Sequence, residues 1–181
     1  SYRIGIEFDG SWIVSDKFTW NATAAFSSNK IKNYKEYLGV LDENWSDTGA
    51  PQVIKEYNST TISFSPSTVL SNEFVYALYN PFRISLTSKY VSRQYLDNTE
   101  AKERSINPFF VSNLRFLYNF SIFGIKNMDA NLAINNIFNK KYETNGYTYG
   151  GIDATSGLRL YGNAYYPQAT TNLLLGLNVR F

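Results

Sequence analysis

"NLLLGLNVRF", Asn172–Phe181, alternates without a break. Leu173, Leu175, Leu177, Val179 and Phe181 are apolar, and Leu174, Gly176, Asn178 and Arg180 stand between them. A period of two places the two sets on opposite faces of a strand. The pattern runs to an aromatic residue, where a soluble domain ordinarily carries a frayed polar tail. Such a strand needs a medium for its apolar face and a neighbour for its edge.

The same period recurs upstream, and helical periodicity is almost absent. In Tyr2–Val14 the even positions are Tyr2, Ile4, Ile6, Phe8, Gly10, Trp12 and Val14; the odd ones include Arg3, Glu7, Asp9 and Ser11. Ser15–Lys17 reads as a tight turn. Phe18, Trp20, Ala22, Ala24 and Phe26 then share one face, opposite Thr19, Asn21, Thr23 and Ser27. Residues 32–57, polar and with Gly39, Gly49 and Pro51, read as a long loop. A long strand is expected over Asn58–Tyr79, interrupted near Pro66 because proline has no ladder donor. After a turn at Asn80–Phe82, strands are expected over Arg83–Tyr95, Pro108–Phe120 and Ala130–Phe138. The charged loop "LDNTEAKERSIN" (Leu96–Asn107) separates the first two, and a short connection near "GIKNMD" (Gly124–Asp129) separates the last two. Residues 139–164, rich in Tyr, Gly and Asn, read as a second long loop before the closing strand, Tyr165–Phe181.

Composition narrows the class. No run approaches the roughly 18–20 apolar residues of a transmembrane helix. The chain has no Cys, so disulfides and thiolate metal sites are excluded, and no His, the commonest general base. A formal charge of +2 is too small to suggest nucleic acid as a partner. Aromatic residues, at 17%, are abundant. The expected strands mostly exceed the average of about 5–6 residues and match the roughly 9–11 that a tilted transmembrane strand needs.

Alternation alone does not separate a membrane barrel from a soluble sandwich or a soluble barrel. Strand length favours the membrane. So do the aromatics near the stripe ends (Tyr90, Tyr118, Phe181), which suit interfacial girdles. The charges within strands point the same way: Arg3, Glu7, Glu73, Arg83, Lys89 and Arg115 suit a wet or plugged lumen. The connections alternate between short and long, as in outer-membrane barrels, with short turns at the periplasmic rim. Seven expected strands leave two open edges, which lipid does not tolerate, so they are expected to be part of a larger barrel.

Four stretches carry a family resemblance: "LAINNIFNKKYETNGYTYG" (Leu132–Gly150), "YYPQATTNLLLGLNVRF" (Tyr165–Phe181), "SKYVSRQYLDNT" (Ser88–Thr99) and "YRIGIEFDG" (Tyr2–Gly10). The first two are the more specific. The chain resembles the C-terminal barrel portion of TonB-dependent outer-membrane receptors, in a Bacteroidota-like form. The resemblance implies the last strands of a barrel of about 22, one domain over residues 1–181, with the plug and earlier strands absent. It implies active uptake of a scarce nutrient at the outer membrane of a Gram-negative bacterium, with ferric siderophores or similar chelates ranked first. Import of oligosaccharides or peptides, or a passive outer-membrane binding or structural role, are its alternatives; a soluble glycan-binding β protein is the alternative outside the family. The expected partners are outer-membrane lipid, the TonB complex acting through the missing N-terminal part, the barrel-assembly machinery and, in some such receptors, a surface lipoprotein.

The candidate residues follow. Trp45, Tyr147, Tyr149 and Tyr161, with Tyr165 and Tyr166, are loop aromatics able to contact a substrate. The six strand charges are candidates for facing the lumen or plug. Leu177, Val179 and Phe181 are the candidate assembly signal. "NIFNKKYE" (Asn136–Glu143) has a functional look but reads as a strand end, with Asn135 and Asn136 satisfying backbone groups. Asp97, Glu100 and Glu103 share one loop, yet their spacing fits no EF-hand, so a solvated loop is expected rather than a metal site. No catalytic group, cofactor or metal is expected.

Overall fold

The computed structural model describes residues 1–123 and 125–180, excluding the side chains of residues 126 and 127; Phe181, named above as an assembly signal, lies outside the described residues. Every regular element is a strand: β1 (Tyr2–Ser15), β2 (Phe18–Leu38), β3 (Val40–Leu41), β4 (Val53–Thr61), β5 (Thr68–Tyr79), β6 (Phe82–Val91), β7 (Gln94–Tyr95), β8 (Ser105–Ile106), β9 (Phe109–Ile122), β10 (Ile125–Asn135), β11 (Glu143–Asp153), β12 (Arg159–Pro167) and β13 (Asn172–Asn178). The main sheet is an antiparallel meander in the order β1-β2-β5-β6-β9-β10-β13, with β4 added beside β2. These seven meander strands are the ones expected from the alternation. Tight turns join β1 to β2, β5 to β6 and β9 to β10 at one rim. At the other rim the chain makes three long excursions, over residues 39–67, 92–108 and 136–171.

The register aligns the two kinds of residue across the sheet. One row reads Trp12, Trp20, Phe74, Leu86, Leu114, Ile134 and Leu173. A row on the other face reads Ser11, Asn21, Glu73, Thr87 and Asn113. The apolar face carries no second layer. On β5 and β9, paired on both sides, Tyr76 is 41% exposed, Phe110 49% and Tyr118 40%. Burying a side chain of this kind is worth about 1.5–3 kcal/mol, and here that gain requires a medium outside the chain. A sandwich would cover this face with another sheet; the absence of one among the described residues removes that alternative.

Three expected boundaries are corrected. Residues 32–57 are not an irregular loop: β2 continues to Leu38 and the chain returns through β4. The run escaped notice because charged and polar side chains interrupt both faces of that hairpin around Leu38, Val53 and Ile54. The long strand expected over 58–79 is two collinear strands on one spine. Residues 18–26 of β2 pair with β5, and residues 30–38 pair with β4. The break spans Ile62–Ser67 around Pro66. There the Ser27 amide donates to the Ser67 carbonyl at 2.8 Å and the Ile62 amide donates to the Asn29 carbonyl at 3.0 Å. Residues 139–164 hold the β11–β12 hairpin. Tyr165 and Tyr166 therefore belong to β12, and the closing strand is only Asn172–Asn178, so Val179 lies beyond its end.

Candidate ligand-binding rim

The long-connection rim is built where β10 ends. Asn136 has φ of 52°, a left-handed conformation that asparagine tolerates better than most residues. Its buried side chain donates to the carbonyls of Lys140 at 2.8 Å and Ala169 at 3.1 Å, and accepts from the Lys140 amide at 2.9 Å. Its own amide donates to Asn113 Oδ1 at 2.9 Å, and its carbonyl accepts from the Thr171 hydroxyl at 2.7 Å. One asparagine thus ties β9, β10 and the returning chain together. Tyr142, just beyond, stacks on Phe109 at 4.7 Å and joins the small buried cluster of Val91, Phe109 and Val111. The "NIFNKKYE" stretch lies just past the end of β10; Asn136 satisfies backbone groups as expected, whereas Asn135 bonds the Asn172 side chain at 2.9 Å.

Above this base the three excursions pack on one another. Glu36 on β2 accepts from Arg159 on β12 at 2.8 Å and from the Tyr57 hydroxyl on β4 at 3.0 Å. Arg104 Nε donates to Asp97 at 2.6 Å and its NH2 donates to the Thr99 hydroxyl at 2.6 Å. Lys30 meets Glu100 at 3.0 Å, and Glu100 also accepts from the Thr61 amide at 2.7 Å. Burial disfavours the Asp97 carboxylate, but the bonds from Thr99 and Arg104 outweigh it and hold the group below the usual carboxylate range. Glu100 is lowered in the same way: burial opposes the charge, and Lys30 and Thr61 overcome it. Burial, then the bond to Glu36, pushes the Tyr57 hydroxyl up.

The three loop acids therefore do not converge. Asp97 and Glu100 each hold a cation, Glu103 stays half-exposed beside Arg104, and no metal-binding group of acids occurs among the described residues. The expectation of a simple solvated loop is corrected as well: Arg104 is 5% exposed and Ile106 1%.

The aromatic candidates divide between two faces of the β11–β12 hairpin. Trp45, Tyr149, Tyr147 and Tyr166 follow one another with ring centroids 5.9, 6.0 and 6.4 Å apart, on the exposed face. Tyr149 lies across Gly162, where a Cβ would come within 2.5 Å of its ring. Gly150, with φ of 143°, holds a conformation closed to other residues, and a Cβ there would meet the Leu160 carbonyl at 2.1 Å. Tyr161 and Tyr165 lie on the opposite face, which meets the second excursion while both side chains stay partly exposed. Arg104 sits 5.6 Å over the Tyr161 ring, and the Tyr165 hydroxyl donates to the Ser105 carbonyl at 3.2 Å.

Arg3, Glu7, Glu73, Arg83, Lys89 and Arg115 share the polar face of the main sheet, as their register requires. Glu73 accepts from Asn21 Nδ2 at 3.0 Å, and Asn21 in turn accepts from the Ser11 hydroxyl at 2.7 Å. Of the residues that assemble the rim, Asp97 was weighed by sequence only as a metal ligand, and Glu36, Arg104 and Arg159 were not singled out. The Asp97–Arg104 spacing offered a weak local signal. Glu36 and Arg159 lie 123 residues apart, and nothing in the sequence pairs them.

A single antiparallel sheet, apolar on one face and polar on the other, with tight turns at one rim and packed excursions at the other, has the architecture of a segment of an outer-membrane β-barrel wall. The siderophore receptor PiuA from Acinetobacter baumannii matches 98% of this chain with a TM-score of 0.71 at 17% identity. The closed form of the ferric-catecholate import receptor Fiu from K12 E. coli matches 99% with a TM-score of 0.50 at 14% identity. The chain spans 21% and 27% of the lengths of those structures. At these identities the likeness is one of fold, and the fold is the partial β-barrel that the sequence led us to expect. No protein-family model matches the sequence, and no curated protein matches it.

Proposed function

We propose that the chain is the C-terminal part of the barrel domain of a TonB-dependent receptor in the outer membrane of a Gram-negative bacterium. The plug and the remaining strands lie elsewhere in the receptor. The receptor imports a ferric siderophore or a similar chelate, and its role is binding and transport, with no catalytic step. The observation supporting this reading is the fold likeness to PiuA over 98% of the chain. In it, the apolar face meets lipid, and the face bearing Glu73, Arg83, Lys89 and Arg115 lines the lumen against the plug. Leu177 lies on the seam strand that the barrel-assembly machinery engages.

Uptake of radiolabelled ferric siderophores by cells with and without the intact gene tests the reading. Uptake that requires the gene and stops when the inner-membrane proton gradient is collapsed is the expected result. Equal uptake in both strains, with no chelate bound by the purified full-length protein, overturns it. A second reading, oligosaccharide import, is favoured by the exposed row Trp45, Tyr149, Tyr147 and Tyr166, because aromatic faces in series suit sugar rings. Gene-dependent uptake of labelled oligosaccharides in the same cells distinguishes it.

A further inference from the structure

A cavity of about 260 Å³ opens where the three excursions meet. Lys55 and Tyr57 on β4, Glu103 and Arg104 from the second excursion, and Arg159 and Tyr161 on β12 line it. Its donors outnumber its acceptors. Lys55 stands opposite Glu36 in the β2–β4 register, the natural place for an ion pair. Both Glu36 oxygens are already occupied, by Arg159 and by Tyr57. Among the described residues the Lys55 ammonium makes no ion pair, with Glu36 or with any other carboxylate. Arg159 gives NH1 to Glu36, while its Nε is buried with no acceptor. A buried guanidinium N–H without an acceptor is costly, so the arrangement is incomplete as it stands. Arg104 contributes little further, since Asp97 and Thr99 occupy its Nε and NH2.

We propose that this cavity binds a small planar aromatic anion. Its carboxylate or phenolate oxygens are taken up by Lys55 and Arg159, and its ring lies among Tyr57 and Tyr161. The volume is below the roughly 300 Å³ at which pockets for drug-sized ligands begin, so a complete ferric chelate is excluded and one arm fits. That the anion is an arm of an imported ligand rests on the receptor reading; the pocket's preference for an anion rests on its own donors. Because each excursion supplies a wall, an occupant bridges all three.

Salicylate is the probe, titrated calorimetrically into the full-length protein in detergent, with neutral salicylamide as the control. Salicylate is expected to bind, salicylamide to bind poorly, and Lys55→Gln to weaken salicylate by roughly tenfold, the loss of one charge-assisted bond. Lys55→Arg, which keeps the charge, should retain binding. Lys55 holds no described ion pair, so its replacement leaves the rim assembled, and the exchange protection of residues 92–108 checks this. Equal binding of salicylamide, no binding of salicylate, or an unchanged affinity in Lys55→Gln each overturns the proposal. If ferric siderophore uptake is found but salicylate does not bind, the pocket fails and the receptor reading stands. If salicylate binds as expected but no chelate is imported, the reverse holds.

Discussion

The main sheet and the rim are made from the same chain by different means. In the sheet, strand ladders hold a single layer, and its apolar face is covered by nothing among the described residues. In the rim, three hairpin-bearing excursions pack face to face around ion pairs such as Asp97–Arg104 and Glu36–Arg159. The sheet's side chains are sorted for two solvents; those of the rim are sorted for one another. Order in the sheet therefore depends on the surroundings, and order in the rim on specific partners.

The largest expected effect is on the sheet. Leu86→Arg places a charge on the apolar face of β6 and should cost about 2–4 kcal/mol of folding stability in lipid. Ser85→Arg, one residue away on the polar face, should be close to neutral. Urea unfolding of the full-length protein in vesicles measures both; equal effects would erase the difference between the faces.

Next is Arg104→Met, which strands the Asp97 carboxylate at 18% exposure. A loss on the order of 2–3 kcal/mol is expected, confined to the rim. Hydrogen exchange should show faster opening of residues 92–108 with β9 unchanged. Asn136→Ala removes several bonds at once and forces a left-handed alanine, for roughly 2 kcal/mol. Its exchange signature should extend through the third excursion, which leaves β10, and to β9 at Asn113.

A smaller effect is expected from acid. The folded-state pKa values of Asp97 and Glu100 are lowered, so their contribution is complete above the unfolded values, taken as 3.8 and 4.5, and is lost as pH falls below them. The rim should then open before the sheet. Exchange at residues 92–108 that accelerates well above those values would contradict the assignment. Smallest of all is Lys35→Ala: the Lys35–Glu56 pair, at 2.6 Å, is solvent-exposed on both sides, and its loss should leave unfolding curves superimposed.

The same contrast explains what could be read in advance. The meander was legible because an apolar face on one side and a polar face on the other impose a strict period of two. Trp12, Trp20, Phe74 and Leu86 declare their face without reference to any distant residue. The rim has no such asymmetry. Residues 32–38 and 53–57 form strands although polar and apolar residues are mixed on both faces, with Leu38 paired to Val53 and Tyr37 to Ile54. Glu36 finds Arg159 only through folding, and Tyr161 separates from Tyr147 and Tyr149 only because successive hairpin positions turn to opposite sides. Local pattern identifies a wall, while a packed rim is a matter of long-range pairing.

The Asn136 clamp also bears on how such a wall could diversify. The side chain closes the base of the third excursion by gripping Lys140 and Ala169, and the Gln168 amide reaches the Tyr142 carbonyl at 3.0 Å just inside it. Everything between these points enters and leaves through a single narrow neck. A replacement hairpin of different length or composition, grafted between Lys140 and Gln168, would keep that neck as its attachment and would have to remake contacts such as those that Arg159 and Tyr165 make to Glu36 and Ser105. Recognition could then be rewritten many times over on a wall that never has to change register.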